Sequence, residues 1–120
     1  MHELSICQAL ISQADDIARR HRATAIRTIK LSIGPLSGVE PDLLRQAFPL
    51  ASAGSVAQYS RLIIERLPIR VHCETCGAET PAKLNRLVCG ECGDWHTRLL
   101  SGDELLLDSV ELAETEDSHV

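Results

Sequence analysis

The sequence predicts an α+β fold, in which a small mixed sheet with two helices is joined to a zinc-ribbon-like module of two CxxC knuckles. Three observations predict it: helical periodicity at the start of the chain, short alternating strands on both sides of its middle, and two cysteine pairs in its second half. With 120 residues, 44% of them hydrophobic, the chain has the size at which a metal ion usefully supports a small core.

The first predicted elements are a helix and a strand. Apolar residues recur over residues 3–21 with the 3.6-residue period of an amphipathic helix. Residues Ile26–Ile33 then alternate, with Ile29, Leu31 and Ile33 on one face, which predicts a strand. Residues 34–40 have loop composition.

A second helix is predicted to begin at Pro41, because proline suits the first position of a helix. Pro49 is expected to kink or end this helix. A connector of small residues, 51–60, leads to a second strand over residues 62–67.

The cysteine pairs predict a closed zinc site. Twelve residues separate the two CxxC motifs, and a glycine follows each motif directly. A tetrahedral zinc ion needs sulfur atoms about 3.8 Å apart, and one CxxC turn supplies two of them. Four protein ligands leave no position for a reactive water, so this zinc is expected to be structural and not catalytic. The predicted ligands are Cys73, Cys76, Cys89 and Cys92.

The last two strands are predicted over residues 95–100 and 104–112, separated by a turn at 101–103. A final apolar strand needs a partner, and we expect it to pair back onto the first domain. The predicted organisation is therefore a discontinuous α/β domain (1–69 with 104–114), a zinc-binding module (70–103) and an acidic tail (115–120).

Charge and composition argue against several functions. Adding four thiolates and one Zn²⁺ to the formal net charge of −5 gives −7, which would repel a phosphate backbone, and the three aromatic residues supply no stacking platform for nucleic acid. No apolar stretch approaches the roughly 20 residues of a membrane span. A secretory signal is not expected either, and metal-spaced cysteines favour a reducing cytoplasm.

Three further side chains have competing interpretations. Cys7 lies on the apolar face of the first helix, where we expect buried packing. His72 and His96 flank the cysteine pairs and could respond to pH or replace a ligand. Because four cysteines already complete a zinc site, polar strand residues are the favoured interpretation of both histidines.

The amino terminus offers a second set of metal ligands. The Met1 amine, the His2 peptide nitrogen and the His2 imidazole can form chelate rings that suit Ni²⁺ or Cu²⁺, and the Glu3 carboxylate could complete or tune the set. The bulky second residue is expected to keep Met1 in place. The alternative is that His2 is an exposed terminal residue and Glu3 an acid that favours a helix N-terminus.

The start Met1-His2-Glu3, the loop 33–41 and the two CxxCG motifs together resemble the HypA/HybF family, over the whole chain. The resemblance implies a nickel metallochaperone of [NiFe]-hydrogenase maturation, and not an enzyme. It implies that nickel binds at His2 and Glu3 and that the zinc is structural. The partners that it implies are a maturation GTPase and the hydrogenase large subunit. It also implies that Glu40 lies near the nickel site, as a ligand or a partner of His2, although Glu40 could simply begin the second helix. Pro35 and Pro49 depart from the family pattern.

Two other functions are compatible with parts of the sequence. A zinc-ribbon adaptor would bind only protein or nucleic acid, and the residues Met1, His2 and Glu3 would then be incidental. A thiol oxidoreductase would use the CxxC pairs, although redox motifs normally occur singly. Loss of His2 would leave an adaptor working, whereas a bound zinc with no reactive thiol other than Cys7 would exclude the oxidoreductase.

Overall fold

The computed structural model of the chain describes residues 2–113, in which two helices and six strands occur. Met1 and the predicted tail 115–120 lie outside the described residues. The elements are α1 (His2–Arg20), β1 (Ile26–Ile33), α2 (Pro41–Ser52), β2 (Arg61–Arg66), β3 (Arg70–Cys73), β4 (Glu79–Pro81), β5 (Thr97–Ser101) and β6 (Leu105–Leu112). The predicted α+β class is confirmed.

The strands of the described residues form two three-stranded sheets, with the orders β2-β1-β6 and β4-β3-β5. Strand β6 lies beside β1, which confirms that the last strand pairs back onto the first. The second sheet is antiparallel, with Val71 opposite Thr80 and Cys73 opposite Thr97. Strand β4 was not predicted, and β5 begins two residues later than the predicted strand.

The chain divides into two compact units. The first unit comprises the described residues up to Leu31, Glu40–Ile64, and the described residues from Leu107 onward; the second comprises Ser32–Val39 and Glu65–Leu106. The first unit contains both helices, and the second contains the cysteine pairs. No helix in residues 2–113 is long and apolar enough to cross a membrane.

Helix α1 forms because its apolar residues recur on one face, and that face is buried. Its buried residues are Cys7, Leu10, Ile11, Ala14 and Ala18. The helix ends in a left-handed turn at Arg22, whose φ is 58°. There the N–H of Ala23 donates to Ala18 O at 2.8 Å and that of Arg22 to Arg19 O at 3.1 Å, the pattern that satisfies carbonyl groups at a helix end.

Helix α2 begins at Pro41, as predicted, and packs against α1. It buries Leu44 and Phe48, which line the same small cavity as Ile29 and Leu31 of β1. Of the two expectations for Pro49, the end of the helix is wrong, since α2 continues to Ser52, and the kink stays a prediction. Proline removes its own N–H from the helical ladder and its ring crowds the carbonyl four residues earlier, but a helix whose buried face is packed can retain a last turn beyond it.

Candidate functional site

Each CxxC pair lies in a tight turn, which we call the first knuckle (Cys73–Gly77) and the second knuckle (Cys89–Gly93). In the first, the Gly77 N–H donates to Cys73 O at 3.0 Å, and in the second the Gly93 N–H donates to Cys89 O at 3.0 Å. The φ angles of Gly77 and Gly93 are 78° and 77°, in the left-handed region that favours glycine. Gly77 and Gly93 therefore let the backbone of each knuckle reverse its direction directly after the second cysteine.

Backbone N–H groups surround the first sulfur of each knuckle. Cys73 Sγ accepts from the Thr75 N–H at 3.4 Å and the Cys76 N–H at 3.3 Å. Cys89 Sγ accepts from the N–H groups of Glu91 and Cys92, at 3.3 and 3.4 Å. The pKa of Cys73 is lowered, mainly by the hydrogen bond from the Cys76 N–H. The pKa of Cys89 is lowered to about 6, mainly by the hydrogen bond from the Cys92 N–H. Each turn thus favours the thiolate of its first cysteine, the form that binds metal, whereas the pKa values of the second cysteines, Cys76 and Cys92, are raised.

The four sulfur atoms converge as a metal cluster requires. Cys73 Sγ lies 3.6 Å from Cys92 Sγ, Cys76 Sγ lies 3.6 Å from Cys89 Sγ, and all four lie within 4.8 Å of one another. A tetrahedral zinc ion requires about 3.8 Å between sulfurs, so the donor set fits it. Four free thiols in this arrangement form a cluster that can bind a metal such as zinc. No other such group of three or more metal-binding side chains occurs in residues 2–113.

The histidines near the knuckles are not members of the cysteine cluster. His72 lies on β3, with Nδ1 3.8 Å from the Glu79 carboxylate on β4. His96 Nδ1 lies 3.0 Å from the carboxylate of Asp94, and its ring stacks on Trp95 with 3.7 Å between centroids. His72 is therefore a polar strand residue near the cluster, as the favoured interpretation expects. That interpretation is wrong for His96, which is not in a strand and directly precedes β5.

At the other predicted site, His2 and Glu3 form the start of α1. The His2 side chain is 65% exposed, and its Nδ1 lies 3.4 Å from the Glu3 carboxylate. The same carboxylate oxygen accepts a hydrogen bond from the Glu40 N–H at 3.5 Å. Desolvation raises the pKa of the Glu3 carboxyl, but hydrogen bonds from His2 and from the backbone outweigh it and lower the pKa below its ordinary value of 4.5.

Glu40 is the N-cap of α2. Its side chain accepts a hydrogen bond from the Asp42 N–H at 3.4 Å, and its carbonyl oxygen accepts the first helical bond, from Leu44 N–H at 3.0 Å. Capping is the role that the geometry gives to this side chain, and metal binding by Glu40 stays a prediction. The Met1 amine, the remaining candidate ligand, lies outside the described residues.

Cys7 is buried, as predicted. Its thiol is 3.4 Å from Leu44 O, and burial raises its pKa to about 11. This thiol is therefore a packing group of the helix pair.

Sequence reasoning missed two residues beside the cluster. The Thr75 hydroxyl, in the first knuckle, donates a hydrogen bond to the carboxylate of Asp94, which follows the second knuckle. This bond and that from the His96 ring lower the pKa of Asp94 to about 2. No sequence pattern marked the pair, because the contact exists only once the two knuckles have met.

The fold and the cysteine cluster define an α+β protein with a metal-binding module of two knuckles. The family model described as "HypA: Hydrogenase/urease nickel incorporation, metallochaperone, hypA" matches residues 1–112. The chain belongs to this family, as its resemblance indicated.

Proteins of similar sequence or structure match this chain over nearly its whole length. The Hydrogenase maturation factor HypA of Nitrosospira multiformis is 53% identical over 115 residues, covering 96% of this chain and 100% of the relative. That of Aquifex aeolicus is 39% identical, covering 93% and 97%. Among solved structures, the Ni metallochaperone HypA from Helicobacter pylori has a TM-score of 0.66 at 26% identity, covering 92% of this chain and 96% of that chain. A second HypA solution structure has a TM-score of 0.71 at 27% identity, covering 94% and 97%.

Proposed function

We propose that this chain binds Ni²⁺ at its amino terminus and delivers it for the maturation of [NiFe]-hydrogenase, while a zinc ion bound by four cysteines stabilises the second unit. The observation that carries the proposal is the contact of the exposed His2 imidazole with the Glu3 carboxylate at the start of α1. It is supported by membership of a nickel-incorporation family.

The proposed nickel ligands are the His2 imidazole and the Glu3 carboxylate, with the Met1 amine completing the set. Nitrogen and oxygen donors suit Ni²⁺. A carrier must also release its ion, and an exposed side chain at a helix start can open more easily than a buried cage. The hydrogen bond from the Glu40 N–H holds the Glu3 carboxylate beside His2.

The proposed zinc ligands are the four cysteines of the knuckles. When bound, zinc links the two knuckles, and its binding free energy contributes directly to folding of this small unit. Four sulfur ligands complete the coordination, so we propose no enzymatic role. Reduced thiols at these positions are consistent with a cytoplasmic location.

The proposed partners are a maturation GTPase and the hydrogenase large subunit that receives the ion. The role of the family in nickel incorporation and hydrogenase maturation supports this proposal. Nucleic acid and membranes are not among the proposed partners.

The alternative function is a protein-interaction adaptor without nickel transfer. One observation favours it: the second unit exposes large apolar side chains, with Trp95 71% and Leu84 58% exposed. Exposed apolar surface of this kind is typical of protein contacts. A carrier can also use such a surface, so the nickel site decides between the two functions.

The deciding experiment is a nickel titration of the zinc-loaded protein and of His2→Ala, with zinc content measured on both. We expect His2→Ala to weaken nickel binding by more than about 100-fold, because loss of a ligand exceeds the effect of an outer-shell change. His21→Ala is the matched control, since His21 is an exposed histidine at the other end of α1. Equal nickel affinity in wild type and His2→Ala would refute nickel binding at His2, and failure of the zinc-loaded wild type to bind nickel would favour the adaptor.

A further inference from the structure

Hydrogen bonds that do not involve the sulfur atoms join the two knuckles. The Thr75 hydroxyl of the first knuckle donates to the carboxylate of Asp94, just beyond the second knuckle. Conversely, the Gly90 N–H of the second knuckle donates at 2.7 Å to the hydroxyl of Thr80, on β4 beyond the first. Each knuckle is therefore hydrogen-bonded to the segment that follows the other knuckle.

The surroundings of both bonds hold them in place. Thr80 is buried, and a Cβ on Gly90 would lie 3.1 Å from the Thr80 Cβ, so glycine permits the close approach. The backbone of Asp94 is fixed by the Cys89 N–H, which donates to Asp94 O at 2.9 Å. The partner groups thus sit on backbone that is itself hydrogen-bonded.

The placement of the two knuckles relative to each other affects how a zinc ion is retained between them. One CxxC turn sets the separation of only two sulfur atoms, and the other separations depend on how the knuckles are placed. The pairs that approach to 3.6 Å, Cys73 with Cys92 and Cys76 with Cys89, each join the two knuckles. Release of the ion requires these sulfurs to separate, and bonds between the knuckles oppose that separation.

We propose that the Thr75–Asp94 and Gly90–Thr80 hydrogen bonds form a latch that holds the knuckles together and slows zinc release. This inference rests on the proposed zinc site. Thr75, Asp94 and Thr80 are positioning residues and not metal ligands, because they act on the placement of the cysteines.

The test is the rate at which the purified, zinc-loaded chain transfers zinc to a chromophoric chelator. Thr75→Val removes the hydroxyl with little change of shape, whereas Thr75→Ser retains it. We expect Thr75→Val to release zinc about tenfold faster or more, in line with the loss of one charge-assisted hydrogen bond, and Thr75→Ser to keep the wild-type rate. Asp94→Asn should also speed release, and the double variant should show less than the product of the two single effects.

A matched control separates the latch from a general effect of charge. Glu91 lies between the cysteines of the second knuckle, is exposed, and shows no hydrogen bond or ion pair of its carboxylate among residues 2–113. Glu91→Gln removes the same charge as Asp94→Asn and should change the release rate by less than about twofold.

Three results would contradict the inference or its basis. Wild-type release rates in both Thr75→Val and Thr80→Val would overturn the latch. Release from Glu91→Gln as fast as from Asp94→Asn, with Thr75→Val unchanged, would replace it with a charge effect. A wild-type protein that holds no zinc would instead refute the proposed zinc site, which keeps the two failures distinguishable.

Discussion

The backbone of Gly34 lies against the carbonyl group of Gly102, so closely that a Cβ on Gly34 would stand 2.1 Å from both the carbonyl carbon and the carbonyl oxygen. Two hydrogen bonds hold this contact: Leu36 N–H to Gly102 O at 2.7 Å, and Gly34 N–H to Glu104 O at 2.9 Å. Because backbone atoms cannot move aside as the end of a side chain can, position 34 admits only glycine without rearrangement.

We therefore expect Gly34→Ala to lower the free energy of unfolding by about 2–3 kcal/mol, as overpacking does. Urea unfolding followed by circular dichroism measures the change. Gly38→Ala is the control, because a Cβ on Gly38 would have no heavy atom within 4 Å. Only the left-handed φ of 81° is then penalised, by about 1 kcal/mol. A Gly34→Ala protein as stable as Gly38→Ala would contradict the steric account.

Features encoded locally could be predicted from the sequence, and features that depend on distant partners could not. The knuckles were predictable because cysteines and glycines at fixed spacing determine them. The requirement for glycine at position 34 was not, because it depends on Gly102. Strand β4 spans three residues and ends in Pro81, too short for alternation to show, and it becomes a strand by pairing with β3.

In the candidate sites, too, the ligands could be named from the sequence, whereas contacts between distant residues could not. The four cysteines proposed as zinc ligands were named from their spacing. His2 and Glu3 were named as proposed nickel ligands from their chemistry and from the resemblance of the chain to a known family. The hydrogen bond from the Glu40 N–H to Glu3 joins residues far apart in sequence. No local pattern predicts such a contact, which requires the packing of α1 against α2.

A second prediction concerns the cysteine cluster. Serine in place of any one of its cysteines should lower the zinc content from about one ion per chain and unfold the knuckles, because metal binding and folding are coupled in such modules. The helical circular dichroism signal should persist, since the first unit contains both helices. Cys7→Ala is the control and should keep its zinc. Full zinc content in all four serine variants would rule out the assignment.

A third prediction follows from the buried thiol of Cys7. Its pKa is raised by burial, and further by Glu3, from 9.0 to about 11, so the folded state favours the protonated thiol. This contribution to stability is fully present below the unfolded pKa of 9.0 and is lost as the pH rises through about 11. The urea midpoint of wild type should therefore fall more steeply than that of Cys7→Ala between about pH 8 and pH 11. Parallel pH profiles would show that the thiol is not desolvated.

A fourth prediction separates the two metals. Nickel should bind to the zinc-loaded protein without releasing zinc, because four thiolates suit zinc and His2 with Glu3 offers nitrogen and oxygen donors. Metal analysis after titration with about one equivalent of Ni²⁺ and removal of free ions gives both contents. Loss of one zinc for each nickel gained would place nickel at the cysteines instead.

The last prediction separates the roles of Glu3 and Glu40. Serine is a preferred N-cap but is too short to replace a carboxylate ligand, and it keeps the backbone N–H that holds Glu3. Glu40→Ser should therefore retain wild-type nickel affinity and, within about 0.5 kcal/mol, wild-type stability. Glu3→Gln should weaken nickel binding, because it removes the charge beside the His2 ring, 3.4 Å away. If Glu40→Ser loses nickel affinity while its stability is unchanged, the Glu40 carboxylate is a ligand; if Glu3→Gln binds as wild type does, the proposed role of Glu3 is wrong.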